Sequence, residues 1–227
     1  MREYKIQYYI EVPDLFSIMN ASFGFLSIIM ILEGGMEAAC QLMLLAVIFD
    51  SIDGWIARKI KRRDDKGFGM NVDSLSDITS FGLAPALFVY STTSFRYINI
   101  LVGLLIMTCG ILRLSRFNVI ASAKKSTFIG LPIPAMAVVV SSLYLSGIFN
   151  EHIILITVTI VSLMMISSIE YPKINTKNGA IVIILLILTI FTGLKLKIFA
   201  IVLFILIIAY ILTPIILKIK IGIKNDR

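Results

Sequence analysis

Charge is what this sequence has least of: Asp, Glu, Lys and Arg together make up 15% of its 227 residues, against the quarter typical of a soluble globular domain. That scarcity excludes an ordinary water-soluble enzyme. Histidine occurs once, as His152, and cysteine twice, as Cys40 and Cys109, so neither a His-rich metal motif nor a disulfide framework is available. The cysteines fall in apolar stretches at different expected depths, which predicts two unpaired thiols. His152 lies in a short polar break beside Asn150 and Glu151 and reads as a loop residue. There is no low-complexity tract, no internal repeat of the inverted-transporter kind and no loop long enough for a soluble domain. Chemistry must therefore use helix ends and short loops.

Apolar residues are what the chain has in excess, at 58% of the total with a mean hydropathy of +0.95. Several runs approach the roughly 20 residues that cross a bilayer as helix. The expected fold is an all-α polytopic membrane protein of about eight transmembrane helices, at 15–32, 36–58, 69–90, 98–117, 132–149, 153–169, 180–192 and 198–219. Pro13 and Asp14 form a start signal for the first, and Pro85 is expected to kink or open the third. The segment before them mixes Arg2, Glu3, Lys5 and Glu11 with Tyr4, Ile6, Tyr8, Tyr9 and Ile10. It does not fit a basic region followed by a hydrophobic signal core and reads as a short helix lying in the membrane interface.

The 21 basic residues test this division, because cytoplasmic loops carry the excess. With the N-terminus inside, only Arg96, Lys195 and Lys197 fall outside, a split of 18 to 3. Both termini are expected to be cytoplasmic. The net charge of +7 then reads as a collar facing anionic lipid, and no nucleic-acid partner is expected.

Asp50, Asp53, Asp73 and Asp77 lie within predicted helices, and an aspartate deep in a bilayer costs on the order of 3 kcal/mol on insertion scales. At about 100° per residue, Asp50, Asp53, Gly54 and Ala57 share a sector of the second helix, and Gly69, Asp73 and Asp77 share a stripe of the third. Both sets flank the basic loop at 59–68, so the stripes converge near the cytoplasmic surface. Four converging carboxylates cannot all stay ionised without cations. Oxygen-only ligation suits Mg²⁺, Mn²⁺ or Ca²⁺ rather than zinc, and two such ions make the recurring clamp of phosphoryl transfer. The small residues on the carboxylate face clear space for a ligand. A divalent-cation transporter is the alternative outside enzymes, but the outer halves of the helices lack the polar groups a conduction path needs.

Asp50-Ser51-Ile52-Asp53-Gly54-Trp55-Ile56-Ala57-Arg58, followed after ten residues by Gly69-Met70-Asn71-Val72-Asp73-Ser74-Leu75-Ser76-Asp77, resembles the signature of the CDP-alcohol phosphatidyltransferases, with all eight fixed positions present across 28 residues. Within that family, 73–85, Leu112-Arg113-Leu114-Ser115-Arg116-Phe117-Asn118 and Phe128-Ile129-Gly130-Leu131-Pro132-Ile133-Pro134 resemble the phosphatidylserine synthase branch. Ser76 and Ser115 stand where the branch often has alanine, a small-for-small change. The resemblance covers residues 13–134 and implies one integral-membrane catalytic domain over 1–227, with 1–13 interfacial, 14–134 carrying the signature and 135–227 adding further helices.

The resemblance implies transfer of a phosphatidyl or archaetidyl group from CDP-diacylglycerol or CDP-archaeol to L-serine, releasing CMP at a cytoplasmic two-metal site in a homodimer. It implies that Asp50, Asp53, Asp73 and Asp77 bind metal and that Asp77 also takes the proton of the attacking hydroxyl. Asn20, Gly54, Ala57, Arg58 and Gly69 are the candidates for the nucleotide. Arg113 and Arg116, three apart on one helix face, are the candidates for a serine carboxylate or phosphate with Asn118 beside them. The segment 120–131, with Lys124 and Lys125, is expected to cover the site. Glycerol 3-phosphate or inositol phosphate as acceptor is the alternative within the family.

Overall fold

The computed structural model describes the backbone of residues 5–60, 67–120, 127–172 and 176–225, and the side chains of these except 96, 176, 177 and 215–225. The start of the expected interfacial segment, part of the basic loop, and Lys124 and Lys125 of the expected cover lie outside the described residues. The interfacial segment contains a 3₁₀ turn at Ile6–Tyr8.

Helix α1, Val12–Leu32, starts where Pro13 and Asp14 signal it. Asp14 Oδ2 accepts the Glu11 N–H at 2.9 Å while the Glu11 side chain accepts the N–H of Asp14, a reciprocal cap in which both acids also suit the positive helix end. The helix ends at Gly34, whose φ of +80° places it in the left-handed region, and the next N–H, of Gly35, reaches back to the Met30 carbonyl at 2.8 Å. The chain then reverses into α2, Met36–Ala57, which packs along α1.

The third expected helix is a composite rod: α3, Phe68–Asp77, a wide π turn at Ile78–Leu83, and α4, Ala84–Thr92. Pro85 lacks an N–H, and in a regular helix its ring would crowd the carbonyl of Phe81. The widened turn ahead of it relieves that conflict, so the expected opening at Pro85 takes the form of a π segment.

The remaining elements are α5, Arg96–Ile120; β1, Thr127–Ile129; α6, Pro134–Leu145; α7, Glu151–Ile166; β2, Glu170–Pro172; α8, Thr176–Thr192; and α9, Lys197–Asn225. Asn150 caps α7, its side-chain oxygen accepting the N–H groups of His152 and Ile153 at 2.9 and 3.4 Å. An all-helical fold needs one correction. Strands β1 and β2 pair antiparallel, with Phe128 opposite the fully buried Tyr171. Cys40 and Cys109 are unpaired thiols.

Among the described residues, four helices are long and apolar enough to cross a membrane, Val12–Leu32, Met36–Ala57, Tyr97–Ile120 and Lys197–Pro214, and Pro134–Leu145, Glu151–Ile166 and Asn178–Thr192 are shorter apolar helices. Helix α6 is central, with every residue from Ala135 to Leu145 except Tyr144 buried. Lipid tails are as apolar as leucine, so close approach and interhelical hydrogen bonds must hold such helices together. Ser27 Oγ donates to the Ala39 carbonyl at 3.0 Å, and a Cβ on Gly24 would collide with the Cα and Oγ of Ser80. Gly24→Val is expected to push α1 off the π turn and cost about 1–3 kcal/mol, read as a lower Tm in detergent. An unchanged Tm would show that this crossing does not need glycine.

Candidate active site

The last turns of α2 carry Asp50 and Asp53, and α3 carries Asp73 and Asp77. Asp50, Asp73 and Asp77 each bring one carboxylate oxygen into a group whose members all lie within 4.8 Å of one another. Residues four apart on α3 stack on one stripe, which puts Asp73 and Asp77 on the same face, and α3 packs against α1. Asp53 sits beside the trio, near enough to Asp73 for their charges to interact. Its Oδ2 accepts the hydroxyl proton of Ser17, on α1, at 2.7 Å, and both residues are buried.

Asn20 is fully buried and donates from Nδ2 to Asp77 Oδ1 at 3.1 Å. Ser80, in the π turn, donates to the Asn20 carbonyl at 2.8 Å. Helix α1 is therefore a third wall of the carboxylate site. Its residues Ser17, Asn20, Gly24 and Ser27 are spaced three or four apart, all buried on one face.

Arg113 reaches the trio from α5. It is buried, and its charge acts on Asp77, Asp50 and Asp73. Its guanidinium carbon lies 5.2 Å from the centre of the Phe117 ring, a cation–π distance. Arg116, one turn further along, is committed elsewhere. Its Nη1 donates to the Ile166 carbonyl and its Nη2 to those of Ile129 and Met165, each at 2.9 Å, so it caps the C-terminus of α7 and pins the end of β1. Gly130, at φ +78°, leaves room for it, since a Cβ there would fall on Arg116 Nη2 and the Met165 carbonyl. Asn118 is also engaged, donating to Ser74 Oγ at 2.9 Å and tying α5 to α3.

Of the expected nucleotide residues, Gly54 is half-buried and Gly69 buried, whereas Ala57 and Arg58 are exposed at the end of α2. Among the described residues, and apart from the backbone of its own helix, a Gly54 Cβ would meet only Arg58 Nη1, at 3.5 Å. Asn20 faces Asp77 rather than this group. Lys59 Nζ lies over the Trp55 ring, 3.6 Å from its centre.

Three carboxylates converging with one buried guanidinium leave an excess of negative charge in a low-dielectric setting. The donor set is all oxygen, with no His or Cys among its members, and fits a hard divalent cation. Ser17 and Ser74 are the contributors that sequence reasoning missed. The signal for Ser17 was its place one turn before Asn20 on the same face.

The profile of the CDP-alcohol phosphatidyltransferase family matches residues 10–164. The chain is similar to the archaetidylserine synthase of Methanothermobacter thermautotrophicus, 57% identical over 176 residues that cover 77% of this chain and 75% of the relative. It is also similar to CDP-diacylglycerol–serine O-phosphatidyltransferases. That of Methanocaldococcus jannaschii is 34% identical over 77% of this chain and 80% of the relative. That of Bacillus subtilis is 34% identical over 71% of this chain and 89% of the relative.

Proposed function

The chain belongs to the CDP-alcohol phosphatidyltransferase family, and from that premise we propose that it transfers the phosphatidyl or archaetidyl group of a CDP-activated lipid to the hydroxyl of L-serine, releasing CMP. The observation that carries the reading is the convergence of Asp50, Asp73 and Asp77, signature positions from two helices, within 4.8 Å. Serine as acceptor is supported by relatives whose names specify it, at 57% and 34% identity.

Asp50, Asp53, Asp73 and Asp77 hold two divalent cations, Mg²⁺ or Mn²⁺. When bound, such ions neutralise a pyrophosphate and stabilise the leaving CMP oxygen. The chain's own groups do the rest. Asp77 receives the proton of the serine hydroxyl as that oxygen bonds to the lipid-side phosphorus and the bond to the CMP oxygen breaks. The Asn20 amide donates to Asp77 Oδ1 and so orients that carboxylate toward the nucleophile. Arg113, buried beside the carboxylates, pairs with the serine carboxylate or the transferred phosphate. The nucleotide lies along Gly54, Ala57 and Gly69 with Arg58 over its phosphates.

Eight membrane crossings with both termini and the site cytoplasmic are part of the same proposal, supported by the 18 to 3 distribution of basic residues. So is the homodimer. The test is CMP release by purified protein with Mn²⁺ or Mg²⁺, offered CDP-archaeol or CDP-diacylglycerol and a panel of serine, glycerol 3-phosphate and inositol phosphate. Release with serine, abolished by a chelator, is expected. Release confined to a phosphorylated acceptor, or none with any, overturns the reading.

A further inference from the structure

Helix α1 carries none of the signature acids, yet two of its buried side chains end on them. We infer that Ser17 and Asn20 are positioning residues of the metal site: they fix the orientation in which the carboxylates of Asp53 and Asp77 meet the ions and the nucleophile. This rests on the reading of the aspartates as metal ligands.

The geometry carries the inference in three ways. Ser17 Oγ donates to Asp53 Oδ2 at 2.7 Å and Asn20 Nδ2 to Asp77 Oδ1 at 3.1 Å, so α1 places a donor on one oxygen of each of these two carboxylates. The two donors sit three residues apart on one face of α1, and the register that delivers them is fixed two ways: Ser80 donates to the Asn20 carbonyl at 2.8 Å, and Gly24 lets α1 close onto Ser80. Asn20 is also a poor choice for packing alone. It is fully buried, and its Oδ1 meets no partner among the described residues, a state that costs stability unless the side chain serves something else. Its single described side-chain hydrogen bond goes to Asp77. Partners outside the ligand shell orient ligating carboxylates, and losing one typically costs about 10–100-fold in metal affinity or activity.

The experiment measures Mn²⁺ affinity by electron paramagnetic resonance, kcat and KM for CMP release, and Tm without metal, for wild type, Asp53→Asn, Ser17→Ala, Ser17→Thr and Asn20→Ala. Expected are a rise of about tenfold or more in the Mn²⁺ Kd for Ser17→Ala with recovery in Ser17→Thr, which keeps the hydroxyl. Asn20→Ala is expected to lower kcat at least tenfold with little change in serine KM, while its metal-free Tm stays at or above that of wild type. Wild-type Mn²⁺ affinity and kcat in both alanine variants overturn the inference, and so does a loss that tracks a fall in metal-free Tm. If wild type itself binds no Mn²⁺, or Asp53→Asn binds it unchanged, the metal reading of the site fails instead.

Discussion

Asp77→Asn keeps CDP-lipid binding and lowers turnover about 10²–10⁴-fold, the range for removing a positioned general base. The substitution is close to isosteric, and the partner on α1 survives it. Asn20 donates its amide to Asp77 Oδ1, and the oxygen of the replacement amide accepts the same bond, so α1 keeps its place. What disappears is the carboxylate's ability to take a proton and part of its value as a ligand. The two losses separate by measurement. Asp50→Asn removes a member of the same trio with no assigned role in proton transfer, so it should weaken Mn²⁺ binding and turnover together. Asp77→Asn should depress kcat even at saturating Mn²⁺. Turnover within a few-fold of wild type would assign the proton to another group. A loss fully restored by excess Mn²⁺ would make Asp77 a ligand only.

The helices and the trio were legible because both rest on periodicity. Apolar runs bounded by polar breaks place every expected span on a helical rod, and steps of three and four put Asp50, Asp73 and Asp77 on facing stripes. The reading stops where a partner is a backbone atom rather than a side chain. Arg116 shares a face with Arg113, and sequence treats the two alike. Only the fold shows that Arg116 ends on carbonyls of β1 and α7, elements 13 to 50 residues away. The β1–β2 ladder escaped for a related reason, since three-residue strands carry no periodic pattern and are held by pairing across 40 residues of chain. The π turn was half legible. Pro85 announces a disturbance, but whether a helix kinks or widens depends on its neighbours, and here Ser80 within the turn bonds to α1.

The contrast between the two arginines yields the other large expected effect. Arg113→Ala should lower kcat/KM for serine about 10–100-fold, the loss of one charge-assisted pairing of about 1.5–3 kcal/mol, with a smaller effect on CDP-lipid binding. The residue is buried, near enough to the carboxylate trio for their charges to interact, so a serine carboxylate arriving there meets a guanidinium already desolvated and held over Phe117. Arg116→Ala should act by another route. It leaves the carbonyls of Ile129, Met165 and Ile166 without their donor, and the expected result is a stability loss of about 2–4 kcal/mol, seen as a lower Tm in detergent. Serine KM in the folded protein should stay within a few-fold of wild type. Arg116→Lys should recover little of that stability, because one ammonium cannot reproduce a planar fork that serves three carbonyls from two nitrogens. A wild-type Tm with a selective loss of serine use in Arg116→Ala would return this arginine to the substrate, and Gly130 would need another reason to be glycine. Equal loss of serine and CDP-lipid binding in Arg113→Ala would instead place its guanidinium on a phosphate common to both steps.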